Sequence, residues 1–414
     1  MNKVTTFTFL LLVFAIQSFS QGGFNTFITY LKSIPEDHRM AVVDSFMIAA
    51  EPYGFPYITG DSANFIYRGN ATSVKIVGDM TDWASGLYYL AKVSGTDFFY
   101  RSKIFEMTAR VEYQYILNEI NWTVDPLNPS PAGCPNSVLT MPEYTPPWEI
   151  NIYPGVPQGT SIDGSITSTY MGQSYMYKIY LPPGYNSDLQ GGYPVVYFQD
   201  GFDYLNMGFA DRVLDNIIDS NLCSPVIGVF VKPNNRNEEY AGSLREEYQL
   251  FFAEELVPFI DGEYNTIRQA RARAVIGDSY GGNISALICY NYADVFGNCG
   301  MHSGAIFPNN YEAFYLIAGG EVKSIRWASI WGTYEGLWEI NRMLKDSLIY
   351  DEYDVLWNEL PEGHNWTFWK ANIDNMLSYF FPAGFMGTDN RIKLELMDVR
   401  IYPNPFSDHI TFQY

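Results

Sequence analysis

A chain of 414 residues is long enough for two ordinary domains, each with its own hydrophobic core. The formal net charge of −21, with no run of basic residues, disfavours binding to nucleic acids and to anionic membranes, because their phosphates would be repelled. Aromatic residues make up 17% of the chain, a share that suits both core packing and pockets for carbohydrates or aryl esters.

The first twenty residues show the pattern of an export signal. Lys3 supplies a positive start, an apolar run extends from Phe7 to Ile16, and small residues precede Gln21. The run is too short to span a bilayer, and no other stretch of the chain approaches transmembrane length. We therefore predict a cleaved signal peptide over residues 1–20 and an exported, soluble mature protein.

The next segment changes from helical to strand patterning. Apolar residues recur at helical spacing over residues 24–50, and from about Pro52 they alternate in runs such as "SVKIVGD", "DFFYRSKIF" and "RVEYQYIL". Turn residues separate these runs, and the Pro-rich stretch "DPLNPSPAG" suits a domain boundary. The pattern predicts an N-terminal helical segment followed by a small all-β sandwich over residues 51–150.

Residues 151–384 have the pattern of an α/β domain. A strand hairpin, "GSITSTYMGQSYMYKIYLPPGY", leads into short apolar strands separated by helix-patterned segments such as "EEYQLFFAEELVPFIDGEY". The apolar strands are predicted at residues 194–198, 226–231, 273–276, 297–301 and 325–331. Connections of helix length between strands predict a mostly parallel sheet with helices on both faces.

Within this domain, the segment "AVIGDSYGGN" holds a Gly-x-Ser-x-Gly motif formed by Gly277, Ser279 and Gly281. An apolar strand precedes the motif and the helix-forming stretch "ISALICYNYADVF" follows it, which is the context of a nucleophile elbow. The motif alone would also fit a serine in a glycine-rich bend. The strand–turn–helix context predicts instead that Ser279 is a nucleophile at the carboxyl end of a central strand.

A nucleophilic serine needs a base, and the chain has only four histidines. His38 precedes the β-rich region, His409 lies in the tail, and His302 comes too early for the order serine, acid, histidine. His364, in "LPEGHNWTFW", follows the last apolar strand in a glycine-containing loop. We predict that His364 is the base; the alternative is an ordinary histidine of a surface loop.

The acid should lie between the serine and the histidine, after the strand "IRWASIW". The turn "GTYEG" follows that strand directly and presents Glu335, which would orient the imidazole and stabilise the imidazolium formed during attack. The competing carboxylates fall on a helix pattern or in the next connection: Glu339, Asp346, Asp351 and Asp354. Position in the chain therefore favours Glu335.

An oxyanion hole needs two backbone N–H groups directed at the developing negative charge. One is expected from Tyr280, the residue after the nucleophile, and the other from the loop after the early strand in "VVYFQDGFDY". We predict that Phe202 supplies the second N–H, with Gly201 as the alternative. Asp200 is expected to hold this loop in place, and Asp278, inside the serine motif, is expected to have no catalytic role.

The sequence implies no metal and no cofactor. It contains no Cys-x-x-Cys motif and no cluster of histidines and cysteines, so a structural zinc site is disfavoured. Cys289 and Cys299 fall in apolar segments that suit free core thiols, although four cysteines allow three pairings if all are oxidised. Ester hydrolysis by a serine, a histidine and an acid needs no cofactor.

As an ordered set, these motifs resemble one family. The runs "PVIGVFVKPNNRNEEY", "FFAEELVPFIDGEYNTIRQARARAVIGDSYGG", "MHSGA", "GTYEG" and "GHNWTFW", over residues 160–382, are similar to an esterase family of α/β-hydrolases. That family includes enterochelin-type siderophore esterases and the feruloyl and acetyl-xylan esterases of the first carbohydrate-esterase family. The resemblance implies an α/β-hydrolase fold, with Ser279 as nucleophile, His364 as base and Glu335 at a position where relatives often carry Asp.

Two further residues enter with the same resemblance. Arg236, followed by Glu239 and Tyr240, matches the family's Arg-x-x-Glu-Tyr stretch, which lies near the active site. This implies first that Arg236 orders its loop and second that it faces the substrate. Arg236 and Asp200 are therefore our candidate substrate-binding residues.

Both flanking regions carry resemblances of their own. The stretches "GDMTDW", "RVEYQYILNEINWTVDPLNP" and "NSVLTMPEY" are similar to the immunoglobulin-like domains, resembling glycogen-binding modules, that precede the hydrolase in these esterases. Trp83 and Trp122 there are candidates for stacking on sugars, with core packing as the favoured role. Residues 385–414, which include "IYPNPFSDHITFQY", resemble a linker and the opening of a type IX secretion sorting domain, cut short at Tyr414. This resemblance implies export across an outer membrane by that secretion machinery.

Together these features predict a secreted or surface-attached serine esterase, with an α/β-hydrolase domain behind a small immunoglobulin-like sandwich. The favoured substrate is a feruloyl or acetyl ester on plant polysaccharide, because an export signal and an immunoglobulin-like domain accompany a catalytic domain similar to carbohydrate esterases. Three alternatives remain open: hydrolysis of a siderophore trilactone, acyl transfer to a sugar, and a non-catalytic surface protein that binds glycan.

Overall fold

In a computed structural model of the protein, residues 23–84, 86, 88–131 and 134–385 are described. The predicted signal peptide (1–20) and all but the first residue of the predicted tail (385–414) lie outside this part of the chain. Within it, no helix combines the length and the apolar character needed to cross a membrane.

The predicted N-terminal helical segment forms two helices, α1 (residues 23–33) and α2 (Glu36–Ala50). Pro35 separates them, because a proline disfavours the helical conformation of the preceding residue and has no backbone N–H to donate. The rings of Phe27 and Phe46 stack with their centroids 4.0 Å apart. They belong to a core that both helices share with the neighbouring strands.

The β-rich region that follows contains two antiparallel sheets. Its strands are β1 (Tyr57–Thr59), β2 (Ser62–Arg68), β3 (Val74–Gly78), β4 (Ala91–Lys92), β5 (Phe98–Ile104), β6 (Arg110–Leu117), β7 (Asn121–Thr123) and β8 (Ser137–Thr140). One sheet has the order β1-β2-β5-β4, and in the other β6 pairs with β3, β7 and β8. Phe65, Phe99 and Tyr113 contribute to a core shared by the two sheets. The predicted strands are present, and the immunoglobulin-like character of the region stays a prediction.

A mixed sheet organises the rest of the described chain. Its strands are β9 (Thr160–Ser168), β10 (Gln173–Leu181), β11 (Val195–Phe198), β12 (Ile227–Val231), β13 (Arg273–Asp278), β14 (Asn298–His302), β15 (Arg326–Tyr334) and β16 (Val355–Gly363). Their order is β9-β10-β12-β11-β13-β14-β15-β16. The hairpin β9–β10 is antiparallel, β10 is antiparallel to β12, and pairing from β12 to β16 is parallel. The predicted hairpin and the predominance of parallel strands are confirmed.

Helices cover both faces of this sheet, as predicted. They are α3 (Gly201–Asn206), α4 (Ala210–Asp219), α5 (Arg236–Tyr240), α6 (Arg245–Leu250), a π-helical turn (Phe251–Leu256), α7 (Val257–Glu263), α8 (Tyr280–Asn291), α9 (Pro308–Ala318), α10 (Trp338–Tyr350), α11 (Trp366–Lys370) and α12 (Ile373–Phe380). Strand β11 contributes side chains to a hydrophobic core on each face of the sheet. Val195 and Tyr197 belong to the core on one face, whereas Val196 and Phe198 belong to the core on the other, because side chains alternate along a strand.

The N-terminal sheet that contains β6 meets the mixed sheet at β16, the last strand of the mixed sheet in the order given above. Glu362 of β16 pairs in parallel with Arg110 of β6, so the two sheets are continuous at this point. Nearby, the hydroxyl of Tyr334, the last residue of β15, donates to Glu106 at 2.7 Å. The N-terminal strands therefore lie beside the carboxyl ends of β15 and β16, where open α/β sheets place their ligands.

Candidate active site

Ser279 lies on a sharp turn between β13, which ends at Asp278, and α8, which begins at Tyr280. Its backbone adopts φ 53° and ψ −118°, a conformation that is strained for a residue with a side chain. The Ser279 N–H donates to the carbonyl of His302 (2.9 Å), and its carbonyl accepts from the N–H of Ala305 (2.8 Å). These contacts hold the serine at the carboxyl end of β13, which is the geometry of a nucleophile elbow.

Glycines on both sides of Ser279 allow neighbouring backbone segments to approach closely. A Cβ on Gly277 would lie 2.3 Å from the carbonyl carbon of Gly281, a distance that no side chain can occupy. A Cβ on Gly282 would lie 2.9 Å from the Cα of Gly304. Glycine is therefore required at both positions by packing against neighbouring backbone.

The predicted acid and base are in direct contact. Nδ1 of His364 lies 2.6 Å from Oε2 of Glu335, whose side chain is fully buried. The other carboxylate oxygen, Oε1, accepts from the N–H of Gly332 at 3.1 Å. Because a carboxylate can only accept, this contact assigns the ring proton to Nδ1 and leaves Nε2 as the basic nitrogen. The arrangement can orient an imidazole for general-base catalysis.

Two neighbouring parallel strands supply this pair. Strand β15 ends directly before Glu335 and β16 ends directly before His364, so the two carboxyl ends bring the side chains together. The ring of Trp369, on α11, meets the imidazole of His364 edge to face with centroids 4.9 Å apart. Its indole Nε1–H donates to Oγ of Ser303 at 3.0 Å. No sequence motif predicts a role for Trp369, and the signal that the sequence holds is its position five residues after the predicted base.

Ser279 and His364 both follow the carboxyl ends of their strands, β13 and β16, and β14 and β15 lie between these two strands. Among the described residues, no hydrogen bond joins the Ser279 hydroxyl to His364. Catalytic hydrogen bonds often shorten only when substrate binds, so this geometry is compatible with the predicted roles. The assignments of nucleophile, base and acid stay predictions.

The predicted oxyanion donors begin two helices. Tyr280 is the first residue of α8, and Gly201 and Phe202 are the first two residues of α3. The N–H groups of a first helical turn have no intrahelical acceptor and are available to an anion. The sequence predicted a loop at 199–202, and the structure shows that a helix starts there instead. Asp200 adopts a left-handed conformation (φ 53°) that turns the chain directly from β11 into α3.

Asp200 and Arg236 form a bidentate ion pair behind the turn that carries Gly201 and Phe202, which we name the oxyanion turn. The guanidinium Nε lies 2.8 Å from Oδ1 of Asp200 and Nη2 lies 2.7 Å from Oδ2. The Asp200 N–H donates to the hydroxyl of Tyr240 at 2.9 Å. Burial raises the pKa of the Asp200 carboxyl, and the hydrogen bonds from Arg236 oppose that rise. Both side chains hold the turn before Gly201, as expected for Asp200, and their predicted contact with substrate stays a prediction.

Asp278, the carboxylate inside the serine motif, is buried beneath the site. Burial, reinforced by the nearby carboxylate of Asp200, raises its pKa well above the ordinary value. His302, one of the excluded histidines, is also fully buried and accepts or donates one hydrogen bond with the Tyr204 hydroxyl at 2.8 Å. Burial lowers the pKa of His302 to about 4, which keeps the ring neutral at pH 7.

None of the four rival carboxylates, all described, is hydrogen-bonded to the imidazole of His364. Glu339 and Asp346 are on α10, and Asp351 follows its last residue. Asp354 pairs with Arg326, whose Nε lies 3.0 Å from its Oδ2. Of the five candidate acids, the structure brings Glu335 alone into hydrogen-bond contact with His364.

The role favoured for the two N-terminal tryptophans is wrong for Trp122. Its side chain lies on β7, which pairs with β6 alone, and it is 52% exposed instead of packed in a core. Trp83 is half-buried, with φ 55°, and its indole Nε1–H donates to Oδ1 of Asp79 at 2.9 Å. Asp79 in turn contacts the loop of His364, a contact that sequence patterns did not reveal.

The described residues contain no group of three or more His, Cys, Asp or Glu side chains placed to hold a metal ion. The four cysteines, all within the described ranges, are free thiols: Cys134, Cys223, Cys289 and Cys299. Burial raises the pKa of the Cys223 and Cys299 thiols, so both behave as core residues.

Residues 168–378 match the model of a protein family, Esterase, described as "Putative esterase". An uncharacterized protein of Bacillus subtilis, YjcH, is 29% identical over 231 residues, which are 52% of this chain and 95% of that protein. The endo-1,4-beta-xylanase/feruloyl esterase of Xylanibacter ruminicola is 31% identical over 142 residues, which are 31% of this chain and 19% of that protein.

Solved structures share the fold over a longer part of the chain. The ferric enterobactin esterase of Salmonella typhimurium has a TM-score of 0.64 at 18% identity, covering 77% of this chain and 93% of its own. The enterobactin esterase of Shigella flexneri has a TM-score of 0.61 at 19% identity, covering 77% of this chain and 92% of its own. At these identities the likeness concerns the fold, an α/β-hydrolase-like arrangement around a mixed sheet.

Proposed function

Because the chain belongs to the Esterase family, we propose that it is an exported serine esterase that hydrolyses feruloyl or acetyl esters on plant polysaccharide. The observation that carries the catalytic part is the contact of 2.6 Å between Nδ1 of His364 and the buried carboxylate of Glu335, at the sheet edge that also holds Ser279. Such a pair leaves a basic Nε2 for a serine hydroxyl.

The proposed mechanism uses only groups of this chain. The hydroxyl oxygen of Ser279 attacks the ester carbonyl carbon while Nε2 of His364 takes its proton. The carbonyl oxygen becomes an oxyanion, which accepts hydrogen bonds from the backbone N–H groups of Tyr280 and Phe202. His364 then gives the proton to the departing alcohol oxygen, and an acyl-enzyme remains. Water, deprotonated by the same nitrogen, releases the carboxylic acid and regenerates the serine.

Glu335 contributes in two ways: it orients the imidazole of His364, and its charge stabilises the imidazolium. Its contact with Nδ1 holds the imidazole plane, and its negative charge stabilises the imidazolium that exists while Nε2 holds the serine proton. Burial of the carboxylate strengthens this interaction, because water competes less for its oxygens.

Aromatic surface beside the serine supports an ester whose acyl group carries an aromatic ring, as a feruloyl group does. The ring of Tyr280, the residue after Ser279, contacts the ring of Phe307 with centroids 5.9 Å apart. Phe307 is 40% exposed, so an apolar face is open to a ligand close to the nucleophile. The relative from Xylanibacter ruminicola bears the name feruloyl esterase, which agrees with this choice.

Export is proposed from the chain ends alone. The apolar run at residues 7–16 fits a signal peptide, and the stretch "IYPNPFSDHITFQY" fits a type IX sorting domain that would engage the secretion machinery. An exported esterase would meet polysaccharide outside the cell, which connects the proposed location to the proposed substrate.

A siderophore trilactone is the second candidate substrate. The likeness to enterobactin esterases extends over 77% of the chain, beyond residues 168–378 of the family match, and so includes part of the N-terminal region. The same serine chemistry would open a trilactone. The choice between the two substrates therefore depends on the surface around the nucleophile and not on the catalytic groups.

The test is a panel of esters with matched serine variants. The unsubstituted protein should hydrolyse methyl ferulate and feruloylated arabinoxylan oligosaccharides faster than an iron-loaded trilactone, with acetylated xylan as the third arm. Ser279→Ala should lower kcat by about 10⁵-fold or more. Ser347→Ala, the same exchange on α10, should leave kcat unchanged. Retained turnover in Ser279→Ala would overturn the mechanism.

Other outcomes of the panel separate the remaining candidates. Faster turnover of the trilactone would indicate that the substrate is a siderophore and not an acylated polysaccharide. Diversion of the acyl group to an added sugar would indicate acyl transfer in place of hydrolysis. Binding to insoluble polysaccharide without turnover of any ester would indicate a glycan-binding protein and overturn the enzyme proposal.

A further inference from the structure

A turn of the N-terminal strand region lies against both catalytic loops. Residues 78–83, "GDMTDW", begin at the last residue of β3 and form what we name the 78–83 turn. On the acid side, Oδ1 of Asp82 accepts from the N–H of Gly336, the residue after Glu335, at 3.2 Å. On the base side, Oδ2 of Asp79 accepts from Nδ2 of Asn365, the residue after His364, at 3.3 Å. One short turn thus contacts both loops.

Two further donors hold the Asp79 carboxylate, one on strand β6 and one within the 78–83 turn. Its Oδ2 accepts from the N–H of Glu112 on β6 at 2.7 Å, and its Oδ1 accepts from Nε1 of Trp83 at 2.9 Å. The residue is 3% exposed. A buried carboxylate with three N–H donors is held in one orientation, and so is the asparagine of the catalytic loop that it contacts.

Packing brings both loops close to the 78–83 turn. A Cβ on Gly363, the residue before His364, would lie 2.0 Å from the carboxyl carbon of Asp79. A Cβ on Gly336 would lie 2.8 Å from Oδ2 of Asp82. The glycines beside the predicted acid and base therefore face the carboxylates of the 78–83 turn at close range.

Asn365 extends the effect of Asp79 to the ring that packs on the base. Its Oδ1 caps α11 by accepting from the N–H groups of Thr367 (3.1 Å) and Phe368 (3.2 Å). Helix α11 carries Trp369, whose indole meets the imidazole of His364. The amide of Asn365 thus joins Asp79 on one side to the helix on the other.

We propose that the 78–83 turn is a positioning element for the Glu335–His364 pair, with Asp79 and Asp82 as its positioning residues. The N-terminal strands then complete the active site and are not merely joined to the esterase part. This inference rests on the proposed catalytic roles of Glu335 and His364, but the contact between the two side chains can be measured without turnover. Neither aspartate reaches the reacting atoms; each acts through the loop that it contacts.

The first test compares two buried aspartates of the N-terminal region. Asp79→Ala removes the contact with the His364 loop, whereas Asp125→Ala removes a buried carboxylate bonded to Tyr113 and Tyr115 on β6. We expect Asp79→Ala to lower kcat on p-nitrophenyl acetate by roughly 10²-fold with little change in KM, because a displacement of about 1 Å has that effect. Asp125→Ala should lose comparable thermal stability and keep kcat.

A proton NMR resonance provides the readout that does not depend on turnover. The hydrogen bond between Nδ1 of His364 and Glu335 should give a far-downfield signal, assigned by its loss in His364→Ala. The signal should broaden or disappear in Asp79→Ala and persist in Asp125→Ala. Equal kcat and equal signals in the two variants would overturn the positioning role.

Two variants of Asp82 test the positioning role if Asp79→Ala does not fold. Asp82 is exposed and adopts φ 50°, so Asp82→Gly removes its acceptor without adding backbone strain. Asp82→Asn tolerates the same conformation and keeps an amide oxygen for the Gly336 N–H. We expect kcat to fall several-fold in Asp82→Gly and to recover in Asp82→Asn; no fall in Asp82→Gly would count against the proposal.

The two proposals can fail separately. A protein with the downfield signal but no activity on any ester would lack the proposed function and could still show loss of the signal in Asp79→Ala. A protein with serine-dependent activity whose kcat and signal ignore Asp79 and Asp82 would retain the proposed function and lose the positioning element.

Discussion

The two sides of the candidate site are built differently. On the nucleophile side, β13, Ser279 and α8 are contiguous in sequence, and the ion pair of Asp200 with Arg236 that holds the oxyanion turn lies within the same sheet domain. On the acid–base side, Glu335 and His364 follow two separate strands, and their loops rest on aspartates more than 250 residues earlier in the chain.

This difference shows which part of the site depends on the N-terminal region. The nucleophile side is made of local turns and close glycine packing, so it should form wherever the mixed sheet forms. The acid–base side has polar contacts to the 78–83 turn and a strand pairing between Glu362 and Arg110. Substitutions on the two sides should therefore lower kcat by different factors. Changes in the N-terminal region should affect the acid–base side more than the nucleophile side.

The largest effect tests the acid–base side at its centre. Glu335→Gln keeps the shape of the side chain but removes the charge that stabilises the imidazolium, and it can present an amide N–H to His364. We expect kcat to fall by about 10⁴-fold, as when the triad acid of a serine protease is replaced by its amide. Glu339→Gln, on the exposed face of α10, is the matched control and should retain full activity.

Steady-state values of kcat and KM on p-nitrophenyl acetate test this prediction. A loss confined to KM would mean that Glu335 contributes to substrate binding and not to the base. Equal losses in Glu335→Gln and Glu339→Gln would remove the distinction between the predicted acid and its rival.

The next effect tests the nucleophile side. Arg236→Leu leaves Asp200 buried without its cation, so the turn that presents the Gly201 and Phe202 N–H groups loses its anchor. We expect kcat to fall by about 10²-fold, as when one oxyanion donor is lost. The free energy of unfolding should fall by about 3 kcal/mol, the low end for breaking a buried ion pair, since Arg236 is one-third exposed.

Two comparisons sharpen this result. Arg342→Leu breaks an exposed ion pair with Glu359 on the acid–base side and should change the free energy of unfolding by no more than about 1 kcal/mol, measured by urea denaturation. Combining Arg236→Leu with Asp82→Gly should give activation free energies that add within about 0.5 kcal/mol. A larger coupling would mean that the two sides of the site are not independent.

The sequence predicted the strand, turn and helix around Ser279 because that information is local. Strand, glycines, serine and helix lie within twenty residues, and a turn without room for a Cβ needs glycine wherever it occurs. Glu335 and His364 followed from chain order, since parallel strands place successive carboxyl ends at one edge. Pro35, visible in the sequence, ends the first helix, so two helices could have been predicted in place of one segment.

What the sequence did not predict involves contacts between distant parts of the chain. The exposure of Trp122 depends on β7 having a single partner, and alternation in a strand does not show which sheet edge it occupies. The helix at Gly201 follows the left-handed conformation of Asp200, a backbone feature that hydrophobic patterning does not reveal. The contact of Asp79 with Asn365 requires two regions to dock, and no spacing in one sequence encodes that.

A smaller effect tests the ring that packs on the base. Trp369→Phe keeps an aromatic edge near His364 but removes the indole N–H that donates to Ser303. A hydrogen bond of this kind contributes about 1 kcal/mol, which corresponds to less than tenfold in rate. We therefore expect kcat to fall by less than tenfold. Trp366→Phe, an exchange on the same helix, should change kcat less, and the reverse order would show that Trp369 does not hold the imidazole.

The last effect concerns stability, and not the reaction rate, at the junction of the two regions. Burial raises the pKa of Asp79 and of Glu362 to about 7, and Arg110 only partly offsets the rise. Unfolded carboxyls release their protons near pH 4. Between about pH 4 and 7 the folded protein therefore holds protons that the unfolded chain has lost, and its stability falls as pH rises through this window.

Glu362→Gln isolates one of these carboxyls. Gln is neutral at every pH, so the variant should lose less stability than the unsubstituted protein between pH 5 and pH 8 and should have the higher Tm at pH 8. The overall charge of −21 also destabilises the fold as pH rises, so only the difference between proteins is informative. Glu359→Gln, the same exchange on β16, removes one charge elsewhere on the strand and should not reproduce the gain at pH 8. If both variants gained equally, the pH dependence would come from total charge and not from the buried carboxyls of the junction.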